Sequence, residues 1–224
     1  MSQSKNQSWL NIRTMVTLAM LTAVAYVVMY LSKAIPSVNG FLDFDFKDVV
    51  ICIGGFTFGP AAALILSILV PFIEFITVSG TGPIGLLMNI LATASFCCTA
   101  CYVYKKHHTQ KGAVLGLGLG VVVLVIVMLL WNYLITPLYQ NVPRDVVAGM
   151  LLPVFFPFNL TKGGLNMAAT LLFYKPVVTA LRRAGLVSPS KSGQSKKISG
   201  GFILFTLALL ATFVMLALVL LKII

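Results

Sequence analysis

The sequence predicts an all-α polytopic membrane protein, a bundle of about seven membrane-spanning helices with its N-terminus on the cytoplasmic side. Three observations carry this reading. Of 224 residues, 59% are hydrophobic and only 9% are charged, against about 25% charged in an ordinary soluble domain. The apolar residues fall in runs near or above the roughly 20 that cross a bilayer core. The basic residues sort into alternate loops.

The first run, 14–32, ends at Lys33 and Pro36. No small-residue cleavage site precedes that break, so the run reads as a retained anchor. Residues 49–78 are too long for one ordinary span and are interrupted at Gly59-Pro60 and again at Pro71. They read as two short helices, about 48–58 and 61–78. Further runs cover 83–104, 112–135, 150–174 and 201–221. In lipid each backbone polar group must be paired inside its own segment, so helices are the economical solution. Residues 1–183 form one six-helix domain. The Ser-, Gly- and Lys-rich stretch 184–200 reads as a flexible basic linker. Residues 201–224 add one more helix, uniformly apolar, expected to face lipid on most sides and to add little to a polar site.

The formal net charge is +11, but its distribution argues against a nucleic-acid surface. Lys5 and Arg13 lie before the first span, Lys105, Lys106 and Lys111 after the fourth, and Lys175, Arg182, Arg183, Lys191, Lys196 and Lys197 after the sixth. The positive-inside rule puts these segments in the cytoplasm. Asp43, Asp45, Asp48 and Asp145 fall in the opposite loops. The first of those loops, 35–47, carries Pro36, Gly40 and several aromatics, and can fold down over the bundle.

Polar groups inside spans are costly and mark functional candidates. Asn159, Lys162 and Asn166 are spaced i, i+3, i+7 and share one helix face. Pro153 and Pro157 precede them and should distort the helix. Lys162 lies about twelve residues into its span, roughly 18 Å deep. It either pairs with Glu74 in the third span or faces a pocket open to the outside and binds a ligand carbonyl. Trp131-Asn132-Tyr133 suits a flat hydrogen-bonding ring, or equally an interfacial aromatic belt. Asn89 reads as interhelical glue or a pocket residue. Ala19 and Ala23 form a small-x-x-x-small pattern that permits close helix approach.

Several chemistries lack their residues. The chain has no G-x-x-x-x-G-K-[ST] phosphate loop, no H-E-x-x-H and no G-x-S-x-G. No catalytic residue, metal ligand set or cofactor is therefore assigned, and the chain reads as a non-enzyme. Cys52, Cys97, Cys98 and Cys101 lie in apolar helices and read as small packing residues. His107 and His108 lie in a basic loop without partnering thiols or acids.

Five stretches carry a family resemblance. They are Phe41-Leu42-Asp43-Phe44-Asp45-Phe46-Lys47-Asp48, Gly54-Gly55-Phe56-Thr57-Phe58-Gly59-Pro60, Ser79-Gly80-Thr81-Gly82-Pro83-Ile84-Gly85 with Asn89, Trp131-Asn132-Tyr133, and Pro157-Phe158-Asn159-Leu160-Thr161-Lys162-Gly163. Over about residues 10–180 the chain resembles the substrate-binding S-components of energy-coupling factor (ECF) vitamin transporters, most closely the riboflavin-specific ones. The resemblance implies a bacterial cell-membrane protein that captures riboflavin, or riboflavin phosphate, from outside. Its partners would be a membrane scaffold subunit and two cytoplasmic ATPases. The family's ligand-binding amides and lysine fall on Asn132, Asn159 and Lys162, and Gly82 and Asn89 belong to the same motif set. Phe41, Leu42, Asp43 and Phe44 would close over the flavin, and Ala19 and Ala23 would meet the scaffold. The seventh span departs from the family pattern.

Three other readings compete. An S-component for another vitamin differs only in a few ligand residues. An intramembrane enzyme would want a cluster of acids, histidine or a reactive serine in the spans. A solitary secondary transporter would want inverted repeats and more coupling groups.

Overall fold

The computed structural model describes residues 12–187 and 199–223. Among these residues the secondary structure is helical throughout: α1 Ile12–Ser32, α2 Lys47–Phe58, α3 Pro60–Thr77, α4 Gly82–Lys106, α5 Gln110–Gln140, α6 Arg144–Met150, α7 Phe156–Arg183 and α8 Gly200–Leu220. Most of the expected linker, and with it Lys191, Lys196 and Lys197, lies outside the described residues, as does Lys5.

Six helical stretches are long and apolar enough to cross a membrane: α1, α3, α4, α5, α8 and the continuous stretch Arg144–Arg183. The exception among the expected spans is α2. Its 12 residues reach about 18 Å, short of the roughly 30 Å hydrocarbon core. The preceding loop makes up the difference by descending into the bundle. Val38, Leu42 and Phe44 are buried, and they pack with Val147, Phe155, Phe158 and Leu165. The end of the bundle bearing this loop is called the upper end below. The main core lies between α2, α3, α4 and α5, around Ile51, Leu66, Phe96, Leu117 and Leu124.

Gly59 turns the chain from α2 into α3 with φ of 102°, a left-handed value that a side chain rarely adopts, and Pro60 starts α3. The expected interruption at Pro71 is absent, because α3 runs unbroken through it. A membrane helix tolerates such a proline where neighbouring helices and local adjustment satisfy the freed carbonyl.

The sixth span is longer than 150–174. α6 passes through a π-helical turn, Leu151–Phe155, directly into α7. Pro153 and Pro157 bracket that turn and cannot donate backbone hydrogen bonds. Widening the turn lets the Phe156 N–H reach the Leu151 carbonyl instead of ending the helix. α5 runs antiparallel to α7, and α8 returns antiparallel along α7. Its upper residues Phe213 and Ala217 join the Phe155–Phe158 cluster, while Phe202, like Leu186 and Val187, packs against the main core.

Candidate functional site

The polar face of α7 meets the descending loop at the centre of a buried ion network. Lys162 Nζ donates to Asp45 Oδ2 at 2.7 Å and, more weakly, to the Asp43 carbonyl at 3.5 Å. The same Asp45 oxygen accepts from Lys47 Nζ at 3.0 Å. Lys47 also lies 3.5 Å from Glu74 and donates to Asn89 Oδ1 at 3.3 Å. Asn89 Nδ2 completes the link by donating to Glu74 Oε2 at 3.1 Å. Lys33 closes the network from above, 3.2 Å from both Asp43 and Glu74. Loop, α2, α3, α4 and α7 are thus tied together at one level. The Lys47 side chain is only 1% exposed and that of Lys162 11%.

Buried charges are tolerated when paired and hydrogen-bonded, and the pairing is visible in the acids. Burial would push the Asp45 carboxyl up, but Lys162 and Lys47 outweigh it and hold the group well below the ordinary carboxylate range. Asp43 is likewise half-buried, yet the Ser37 hydroxyl and Lys33 hold its carboxyl down. On Lys33, Glu74 and Asp43 outweigh burial and raise the ammonium pKa.

The alternative pairing of Lys162 with Glu74 is not formed. Asp45 intervenes, and Glu74 serves Lys33 and Lys47. Nor is Lys162 open to the outside, since the loop covers it. The description of Asp45 and Asp48 as ordinary loop acids also needs correcting. Asp45 is buried, and Asp48 sits in the first turn of α2 accepting from Thr93 Oγ1 at 2.8 Å. The loop folds down over the bundle as expected, and the shortness of α2 brings these two acids inside with it.

Asn159 is buried and donates to the Phe155 carbonyl at 2.8 Å. Asn166 donates to the Asp45 and Lys162 carbonyls, at 2.9 and 3.0 Å. Two buried acceptors in this cluster, Asp45 Oδ1 and Asn166 Oδ1, have no hydrogen-bond partner. Asn132 is buried on α5, donating to the Met128 carbonyl and accepting from Thr136. Leu124 and Val121 of α5 lie against Gly163 of α7. Asn132 lies about two turns beyond Leu124 along α5, and Asn159 one turn before Gly163 on the same face of α7. Lys162 is turned instead towards the descending loop, through Asp45. Above them Phe41 packs edge-on to Phe155, with centroids 6.1 Å apart, and Phe44 lies 5.0 Å from Phe158. Leu42 is buried in the same cluster, while Asp43 faces Lys33.

Asn89 is placed between Lys47 and Glu74, as glue within the network. Gly82 opens α4 at the upper turn, and no hydrogen bond joins it to the Lys162 cluster. Asp45, Lys47 and Asn166 were not singled out as ligand residues by sequence. For Asp45 and Lys47 the signal was the alternation of charged and aromatic residues from Asp43 to Lys47, immediately before an apolar run; for Asn166 it was its place on the Asn159 and Lys162 face. On α1, Ala19 and Ala23 lie in an exposed stripe with Met15, Val16, Met20, Val24 and Val27, opposite the buried face of Leu21, Ala25 and Met29.

A family model described as "ECF transporter, substrate-specific component" matches residues 13–174. The chain belongs to this family. It is 31% identical to the riboflavin transporter RibU of Staphylococcus aureus over 182 residues, 76% of this chain and 93% of that protein. It is 29% identical to the riboflavin transporter FmnP of Bacillus subtilis, across 74% of this chain and 93% of that one. The solved structure of the S component of a bacterial ECF transporter superposes with a TM-score of 0.63 at 32% identity, covering 97% of that chain and 75% of this one. The S-component assignment fits a transport role and no enzymatic one, and the family match ends before α8.

Proposed function

We propose that this S-component binds riboflavin from the outer side of the bacterial cell membrane and delivers it with a scaffold subunit and two ATPases. The observation that carries the ligand assignment is the buried Asn159, Lys162 and Asn166 face beneath the aromatic loop, in a chain alignable with riboflavin transporters over more than nine-tenths of their length. A flavin's pyrimidine edge presents two carbonyls and one N–H. Lys162 and the asparagine amides supply donors, and amide oxygens supply acceptors. The apolar ring edge suits Phe41, Phe44, Phe155 and Phe158.

In this closed arrangement Lys162 is held by Asp45. On this reading a ligand carbonyl competes with that carboxylate for Lys162, and binding is an exchange of partners in which the loop moves with Asp45. The N-terminus lies in the cytoplasm on this reading, consistent with Arg13 before α1 and with Lys105, Lys106 and Lys111 between α4 and α5. The exposed α1 stripe around Ala19 and Ala23 is the scaffold-docking face, since small residues let a partner helix approach closely.

The deciding experiment is flavin-fluorescence quenching by the purified protein at nanomolar to micromolar ligand, with riboflavin and riboflavin phosphate titrated separately. Saturable quenching by either supports the reading, and their ratio gives the preference. Absence of binding by both sinks it.

A further inference from the structure

Two adjacent glycines set the position of α7 at the height of Lys162. A Cβ built on Gly163 would sit 3.1 Å from Leu124 and 3.2 Å from Val121, so α5 presses closely on that side. Gly164 points elsewhere and carries the ring of Phe213 from α8; a Cβ there would collide with three ring carbons. Lys162 and Asn166 project from the remaining face. At Gly163 and Gly164 the ligand-bearing segment meets α5 and α8 with no Cβ of its own in the contact.

α8 is mostly bare towards its surroundings, but its covered positions are not scattered. Thr206, Leu210, Phe213, Ala217 and Leu220 are buried or half-buried, at intervals of four, three, four and three, the seam of a closely packed antiparallel helix pair. Leu210, Phe213, Ala217, Leu220 and Leu221 share one apolar cluster with Val38, Leu42 and Phe44 of the loop and with Phe155 and Phe158. The helix faces its surroundings on most sides, as expected, and supplies apolar contacts alone to this cluster.

We propose that α8 is a positioning brace for ligand binding. Phe213, seated on Gly164, fixes α7 about 100° round the helix from its α5 contact and backs the cluster on which the loop closes. It thereby sets the register of Lys162 and Asn166 towards the ligand without touching it. This rests on Lys162 being a ligand residue, as proposed above.

The test uses the full chain in detergent, with Phe213→Ala, Gly164→Ala, the double variant, and a chain ended after Val187. Two quantities are read: hydrogen exchange across 155–166, with 86–101 in α4 as internal control, and flavin affinity by quenching. Phe213→Ala should raise exchange across 155–166 about tenfold, leave α4 unchanged, and weaken flavin binding about tenfold, or ~1.4 kcal/mol. Truncation should do the same or more. Gly164→Ala should act in the same direction, and adding Phe213→Ala to it should recover part of the loss, which two independent lesions would not do. Unchanged exchange across 155–166 in both Phe213→Ala and the truncated chain would overturn the brace, as would strictly additive losses in the double variant. If the unaltered protein binds no flavin, the flavin reading falls and the exchange measurement alone decides the brace.

Discussion

Replacing Asp45 by asparagine should move stability and affinity in opposite directions. Asp45 Oδ2 accepts from Lys162 at 2.7 Å and from Lys47 at 3.0 Å. Hydrogen bonds to charged groups contribute about 1.5–3 kcal/mol each. The amide oxygen of an asparagine retains a weaker version of one of them. Lys162, the less deeply buried lysine, can swing towards water, while Lys47 keeps Glu74 at 3.5 Å and Asn89 at 3.3 Å. The net loss in the unliganded protein should therefore be about 2–4 kcal/mol, at or below the 3–5 kcal/mol seen when a buried charge is left wholly unpaired. At about 2–4 °C per kcal/mol for a chain of this size, the melting temperature should fall by roughly 5–15 °C. Ligand binding should tighten, because Lys162 no longer has to leave a carboxylate. A gain of about 1–2 kcal/mol, or roughly 5–30-fold in Kd, is expected. Thermal unfolding and flavin quenching on the same preparation read both numbers. A fall in affinity alongside the fall in melting temperature would refute the exchange of partners at Lys162 and make Asp45 a purely supporting residue.

Asn159→Ala and Lys162→Ala should each weaken flavin binding by about 1–3 kcal/mol, the cost of orphaning a buried polar partner; normal titrations for both would mean the site lies elsewhere. The pH dependence follows from Asp45, whose folded pKa is held below its unfolded value near 3.9. Its stabilisation is complete above that value and is lost as pH falls through the lower folded one. The melting-temperature gap between the unaltered protein and Asp45→Asn should therefore be constant near neutrality and narrow below about pH 4; a gap independent of pH would argue against an ionised Asp45. Ala19→Leu and Ala23→Leu should leave flavin quenching intact and reduce uptake by cells, and undiminished uptake would remove α1 as the docking face.

Much of the architecture was legible because lipid imposes one rule on every segment. Runs of apolar residues placed α1, α3, α4, α5 and α8 closely. Asn159, Lys162 and Asn166 announced their shared face through spacing alone. What spacing could not give was partner choice. For Lys162 the alternatives were Glu74 and an outward-facing pocket, and the depth of the loop, set by the shortness of α2, supplies Asp45 instead. The same cause hid Lys47 and Asp48, which resemble interfacial residues until the helix they begin is seen to start inside the bundle. Pro153 and Pro157 suggested a distorted helix, and the π-helical turn Leu151–Phe155 is the form the distortion takes. The Gly164–Phe213 seat was invisible because one partner is a residue with no side chain and the other lies in a helix whose composition resembles a lipid-facing anchor.

The placement of α8 has a consequence for assembly. The stripe containing Ala19 and Ala23 stays uncovered with α8 present, because the extra helix lies along α7. On the docking face proposed above, a partner helix would therefore meet the same surface whether or not α8 is present, and removing α8 would be felt at the ligand side of the bundle alone.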